Sequence, residues 1–96
     1  MRERVLRREY LISQHAEIER RNDSLSLSDI ERVLLNAVTI EDYPDTGRGP
    51  SYLVYGSVND RPVHVVCGRN KYSWLVIVTV YIPSMPKWKT PTERNR

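Results

Sequence analysis

The segment that begins at Ser28 carries apolar side chains every three or four residues, which is the spacing of an amphipathic helix. The sequence Ser28-Asp29-Ile30-Glu31 has the form of a capping box, in which a hydroxyl and a carboxylate satisfy free amides. We therefore predict a helix over residues 28–36. Upstream, Ser13 is a good N-cap and the residues after it favour helix, which predicts another helix over residues 14–22.

After Val38 the apolar period changes to the alternation that is typical of strands. The predicted strands are residues 38–43, 51–58, 61–68 and 74–82. Turn-forming residues separate them, which favours an antiparallel meander. The segment from Trp74 to Ile82 is apolar on both faces and should lie inside the sheet. The expected fold class is α+β, with the N-terminal helices packed on a four-stranded antiparallel sheet.

The length of 96 residues predicts one domain that spans residues 1–96. Residues 1–9 are expected to form a short helix or an arm, followed by an extended stretch from Tyr10 to Ile12. Prolines after the last strand argue against regular structure there. We therefore expect residues 84–96 to form an extended, basic tail.

The net charge of +3 is unevenly distributed. Basic zones lie at the start, around the later strands and at the end, and an acidic zone lies between Asp23 and Asp45. A polyanion such as RNA would contact the basic zones, although ordinary solvated charge would give the same pattern.

Cysteine usage and the absence of a leader favour a reducing, cytoplasmic location. The only cysteine is Cys67, which excludes an internal disulfide, and no charged-then-apolar leader precedes the domain. The longest apolar run, Trp74 to Ile82, is too short for a membrane span, so no membrane association is expected.

His15 and Glu19 are the first candidate pair for chemistry. Four residues apart on a helix, they share one face, so the carboxylate can hydrogen-bond the imidazole. The helix N-terminus lowers the proton affinity of His15 and Glu19 raises it, a balance suited to acid/base work. A routine polar pair on a surface helix is the alternative interpretation.

His64 is the second histidine, and it lies among valines in a predicted strand. Strand alternation places its ring on the face opposite Val63 and Cys67, and places Arg61 with Val63. A metal site is not expected, because His64 and Cys67 face opposite sides and no further cysteine pair exists. No other cofactor is expected either.

Common nucleotide and acyl-transfer motifs are missing from the chain, and Cys67 among valines is typical of a small core residue. Two histidines, several arginines and six tyrosines are the residue types that acid/base RNA cleavage needs. In that reaction a base takes the ribose 2′-OH proton, a cation stabilises the phosphorane, and an acid protonates the leaving oxygen.

Five motifs spread between about Tyr10 and Trp88 then become recognisable together. They are His15-Ala16-Glu17-Ile18-Glu19, Ser26-Leu27-Ser28-Asp29-Ile30, Ile40-Glu41-Asp42-Tyr43-Pro44-Asp45, Arg61-Pro62-Val63-His64-Val65-Val66, and Thr79-Val80-Tyr81-Ile82-Pro83 with Trp88. With these motifs the chain resembles the uncharacterised bacterial domain family 4258. The resemblance implies a small toxin with a RelE-like or barnase-like ribonuclease fold, paired with a small zinc-finger or helix-turn-helix antitoxin.

The resemblance also implies which residues form the site. It implies that His15, Glu19, Arg61, His64 and Tyr81 are the candidate catalytic residues, and it adds Trp88 and, more loosely, Arg94 as candidate RNA contacts. The basic zones of the chain supply the other candidate RNA contacts, which are Arg20, Arg69, Lys71 and Lys87. Two positions depart from the family pattern, since Asp23 replaces a usual arginine and Ser24 replaces a common glycine.

Two functions are therefore expected from the sequence. The first is a metal-independent endoribonuclease toxin, in which His64 and His15 transfer protons, Arg61 steadies the phosphate and Tyr81 orients the substrate. The second is a non-catalytic domain that binds protein or RNA through the same sheet face. The intact histidine motifs favour the first function, and Asp23 favours the second.

Overall fold

The computed structural model describes residues 2–43, 50–83, 88–90 and 92–94. Within them the helices are α1 (Arg2–Leu6), α2 (Gln14–Asn22) and α3 (Leu27–Leu35). The strands are β1 (Tyr10–Ile12), β2 (Val38–Tyr43), β3 (Ser51–Val58), β4 (Arg61–Arg69), β5 (Leu75–Tyr81), β6 (Trp88–Thr90) and β7 (Glu93–Arg94). The α+β class is confirmed. Of the helices in this described part of the chain, none combines the length and the apolar character that a bilayer crossing takes.

The main sheet has five strands in the order β1-β5-β4-β3-β2. Strands β2 to β5 form the predicted antiparallel meander, and β5 lies inside the sheet as expected. The prediction of a four-stranded, wholly antiparallel sheet was wrong, because β1 pairs with β5 in parallel. Three residues are too few to show a strand period, so only the pairing with β5 reveals that β1 is a strand.

One face of the sheet packs on the helices. Val63, Val65 and Cys67 alternate towards this face and are buried in the core. At Gly56, which pairs with Val63, a Cβ atom would lie 2.9 Å from Val33 Cγ1 of α3. Glycine at this position therefore lets the helix approach the sheet closely.

Helix α2 has well-defined ends. The hydroxyl of Ser13 accepts a hydrogen bond from the Ala16 N–H at 3.0 Å, which confirms the predicted N-cap. At the other end the Leu25 N–H donates to Arg20 O and the Ser24 N–H to Arg21 O, the two bonds of a Schellman motif. Ser24 has φ 56°, a conformation that glycine adopts without strain.

Helix α3 begins earlier than predicted. Its capping box joins Ser26 and Asp29, so the prediction that Ser28 caps the helix with Glu31 was wrong. Leu25 and Ile30 occupy the positions of a hydrophobic staple around this cap, and both are buried in the core. The hydrogen bond from the Ser26 N–H lowers the pKa of Asp29.

The end of the chain is not wholly irregular. Trp88–Thr90 pairs antiparallel with Glu93–Arg94 in a separate two-stranded sheet. The prediction that prolines exclude regular structure in this tail was therefore wrong for these residues. Proline removes only its own backbone N–H, so neighbouring residues can still pair.

Candidate functional site at the end of strand β5

Strand β5 uses two kinds of partner along its outer edge. Strand β1 pairs only with Leu75–Ile77, so the residues that follow need other hydrogen-bond partners. Helix α2 and its N-cap provide them: the Ser13 hydroxyl donates to Val78 O at 2.8 Å, and Glu19 Oε1 accepts the Val80 N–H at 3.1 Å. Hydrogen bonds from side chains therefore replace strand pairing along the part of β5 that β1 does not reach.

Glu19 Oε1 is the centre of a small polar group. The same oxygen accepts the hydroxyl of Thr79 and lies 3.3 Å from His15 Nε2. The predicted contact between His15 and Glu19 is thus present. Glu19 is 24% exposed and His15 is 71% exposed, so solvent reaches the imidazole while the carboxylate is tied to the sheet.

His64 and Tyr81 form a second polar group on neighbouring strands. They are paired across β4 and β5, and His64 Nδ1 lies 3.0 Å from the Tyr81 hydroxyl oxygen. The Tyr55 ring lies on the other side, edge-on to the imidazole at 6.1 Å between centroids. His64 is 0% exposed and faces away from Val63, as strand alternation predicted.

Each polar group includes a residue on the same face of β5. Val66 pairs with Thr79 and His64 pairs with Tyr81, so Thr79 and Tyr81 share the face that carries His64. We refer to His15, Glu19, Thr79, Tyr81 and His64 as the β5-end cluster. The fold therefore brings four of the five candidate catalytic residues to one end of β5.

Arg61 is the candidate that the fold places elsewhere. Its partner in β3 is Val58, a core residue, so Arg61 lies on the helix side of the sheet, opposite His64. Its guanidinium donates to the backbone oxygen of Asp23 at 3.2 Å, at the end of α2. Arg61 therefore ties β4 to α2 and does not join the β5-end cluster.

Among the candidate RNA contacts, Arg20 is engaged within the protein. Its guanidinium donates to Glu17 at 2.8 Å and to Leu25 O at 3.0 Å, and its side chain is largely buried. The hydrogen bond from Arg20 lowers the pKa of Glu17. Arg20 thus holds the end of α2 in place.

The remaining candidate RNA contacts lie in two regions. Arg69 ends β4 and Lys71 lies in the turn that follows, and both are exposed. Trp88 and Arg94 pair through their backbones in β6 and β7, and their side chains lie outside the described part of the structure. Lys87 also lies outside the described residues.

Several residues around these sites were not identified from the sequence. Tyr10 donates to Glu31 beside a surface cavity of about 350 Å³ that is also lined by Arg8, Leu27 and Ser28. Burial and the bond to Glu31 raise the pKa of Tyr10 to about 12. Thr79 and Ser13 were also missed as partners of the cluster, because contacts between residues sixty or more positions apart leave no local pattern.

The described residues show neither a clustered set of metal ligands nor a reactive thiol. In these parts of the chain, no group of three or more His, Cys, Asp or Glu side chains is arranged to hold a metal ion. Burial raises the pKa of the Cys67 thiol to about 11, so the thiol stays protonated at neutral pH. Cys67 is therefore a core residue.

The fold and the cluster define a small α+β domain with a polar group at the edge of its sheet. The chain belongs to the family described as "Domain of unknown function (DUF4258)", whose model matches residues 12–82. No curated protein and no solved structure matches the chain significantly. The family match covers α2 and the whole β5-end cluster, and it begins at the last residue of β1.

Proposed function

We propose that this protein is a metal-independent endoribonuclease of the toxin kind. The observation that carries the proposal is the β5-end cluster, in which two histidines from distant parts of the chain are linked to the end of one strand: His15 contacts Glu19, which binds Thr79 and Val80, and His64 contacts Tyr81. RNA cleavage by acid/base catalysis needs two proton-transfer groups within reach of one phosphodiester. The cluster supplies candidates for both.

In the proposed reaction the ribose 2′ oxygen attacks the phosphorus and the bond to the 5′ oxygen breaks. One group accepts the 2′-OH proton, and the other gives a proton to the leaving 5′ oxygen. His15 is exposed and held by Glu19, so it can meet the substrate directly. His64 is buried, so it acts through the Tyr81 hydroxyl to which it is bonded.

A second candidate function is a non-catalytic domain that binds protein or RNA. The specific observation in its favour is the position of Arg61, which lies on the opposite face from His64 and is bound to Asp23 O. The cation expected to stabilise the phosphorane is therefore absent from the proposed reacting centre. The complete burial of His64 points the same way.

The wider biological proposal rests on the resemblance of the sequence motifs and on the order of the elements. We propose that the domain is related to RelE-like or barnase-like ribonucleases, with helices that precede an antiparallel meander. It would act on cellular RNA in the cytoplasm and would be neutralised by a small zinc-finger or helix-turn-helix antitoxin. Because one fold hosts many functions, the site must be tested directly.

The test is cleavage of total RNA in the presence of a chelator, with variants that change single functional groups. Tyr81→Phe removes only the hydroxyl that bonds to His64, and Tyr55→Phe is the matched control on the other side of the same imidazole. We expect Tyr81→Phe to slow cleavage by roughly a hundredfold or more, and Tyr55→Phe to leave it unchanged.

The exposed histidine is tested in the same way. His15→Ala should slow cleavage by a similar factor, with Gln14→Ala as the control at the neighbouring exposed position of α2. Equal cleavage by the wild type and both cluster variants would mean that a contaminant is responsible. No cleavage by a folded wild-type protein would favour the binding domain.

A further inference from the structure

The last residue of β4, Arg69, and the turn that follows it, residues 70–74, are held together by their own hydrogen bonds. The Asn70 side-chain oxygen accepts the N–H groups of Tyr72 and Trp74 at 2.9 and 3.1 Å. The Asn70 backbone bonds to Trp74 O and to the Ser73 N–H, both at 3.0 Å. We call residues 69–74 the β4–β5 tip.

The tip carries an exposed aromatic ring and two cations. Tyr72 is 68% exposed, and Lys71 Nζ lies 5.1 Å from the centre of its ring. The Arg69 guanidinium donates to Ser73 O at 2.8 Å, which holds a second positive charge beside the turn. The tip has no acidic residue, so its charge is uniformly positive.

We propose that the β4–β5 tip binds single-stranded RNA, with a base stacked on Tyr72 and phosphates near Lys71 and Arg69. The choice of RNA as ligand rests on the proposed function. Every base has a flat face that stacks on an aromatic side chain, and nearby cations attract the backbone. Because the turn is already ordered, stacking on Tyr72 costs little conformational entropy.

The tip and the β5-end cluster lie at opposite ends of the same two strands. The pair His64–Tyr81 is separated from the pair Arg69–Leu75 by five residues of β4, or ~17 Å of extended strand. Only an oligonucleotide can contact both places at once. The tip therefore acts as a remote binding site that raises affinity without touching the reacting atoms.

The proposal is tested by equilibrium binding of a fluorescently labelled single-stranded RNA oligonucleotide to the full chain at two salt concentrations. Tyr72→Ala should weaken binding roughly five- to hundredfold, and Tyr72→Phe should bind like the wild type because it keeps the ring. Because Tyr72 is exposed, both variants should keep the fold, and circular dichroism checks that they do.

Charge is tested with a matched pair of substitutions. Lys71→Gln should weaken binding and reduce its salt dependence by about one phosphate contact, whereas Arg32→Gln removes an exposed charge from α3 and should not change the salt dependence.

The outcomes separate this proposal from the proposed catalysis. Weaker RNA binding by Tyr72→Ala supports the proposed binding site at the tip even if the wild-type protein cleaves no RNA. Salt-dependent binding that is equal in the wild type and Tyr72→Ala overturns the proposed binding site at the tip and leaves the proposed catalysis untouched. If the wild type binds no RNA at low salt, both the binding site at the tip and the proposed function on RNA are overturned.

Discussion

The two halves of the outer edge of β5 are covered in different ways. Leu75–Ile77 pairs with the backbone of β1, whose Tyr10 is bonded to Glu31. In the other half, Val78 and Val80 are covered by polar side chains from Ser13 and Glu19. The backbone of a strand thus covers the first half of the edge, and a hydroxyl and a carboxylate cover the second half.

This difference explains where the candidate site lies. A backbone ladder satisfies an edge without leaving any side-chain group for chemistry, whereas a carboxylate that covers an edge can also bind other donors. Glu19 does both, since its one oxygen meets Val80 and also His15. Stability and proposed function therefore depend on the same atom in the second half.

The largest loss of stability is expected at His64, which lies on β4 and contacts Tyr81 next to the second half of the β5 edge. His64→Ala should lower the free energy of unfolding by about 3 kcal/mol, because it leaves a cavity and removes a partner of Tyr81. His15→Ala, at an exposed position, should cost less than about 0.5 kcal/mol. Urea denaturation of both variants measures the difference, and equal losses would contradict the contrast in burial.

A smaller loss of stability is expected when the carboxylate of Glu19 is removed from the β5 edge. Glu19→Ala should cost about 2 kcal/mol, because the Val80 N–H and the Thr79 hydroxyl lose their common acceptor. Glu19→Gln keeps an acceptor oxygen and should recover part of this loss. Glu3→Ala, at an exposed position on α1, is the control. If Glu19→Gln were as unstable as Glu19→Ala, the charge and not the hydrogen bond would hold the edge.

The free energy of unfolding should fall at alkaline pH because of Tyr10, which belongs to the strand that covers the first half of the β5 edge. The pKa of Tyr10 is raised in the folded state to about 12, so folding favours the protonated phenol. The stabilisation is complete below the ordinary tyrosine pKa near 10 and is lost as the pH rises towards 12. Denaturation of the wild type and Tyr10→Phe across this range should show a Tyr10-dependent loss of stability. Parallel curves would mean that the phenol does not couple to folding.

A small gain in stability is expected at the end of α2, the helix that carries Glu19. Ser24→Gly should raise the free energy of unfolding by roughly 0.5 kcal/mol, because glycine removes the strain of φ 56° although it adds entropy to the unfolded chain. Thermal unfolding measures the gain. A loss of stability would show that the Ser24 side chain makes up for its strained backbone.

Most of the elements were predictable because their signals are local. The range predicted for α2 from the Ser13 cap, residues 14–22, is the range observed, and alternation located β2 and β3 at residues 38–43 and 51–58. The contact between His15 and Glu19 followed from helical spacing alone. The start of α3 was missed because two serines offer caps, and the burial of Leu25 favours the first.

The amino-acid sequence by itself determined the α+β class, the meander and the faces of β4, since these follow from periods of two and 3.6 residues. Only the tertiary structure decided that β1 joins β5, that Glu19 reaches Thr79 and Val80, and that Arg61 is bound to Asp23. Such contacts join residues far apart in the chain. They depend on how whole elements pack, and no local pattern of residues specifies that packing.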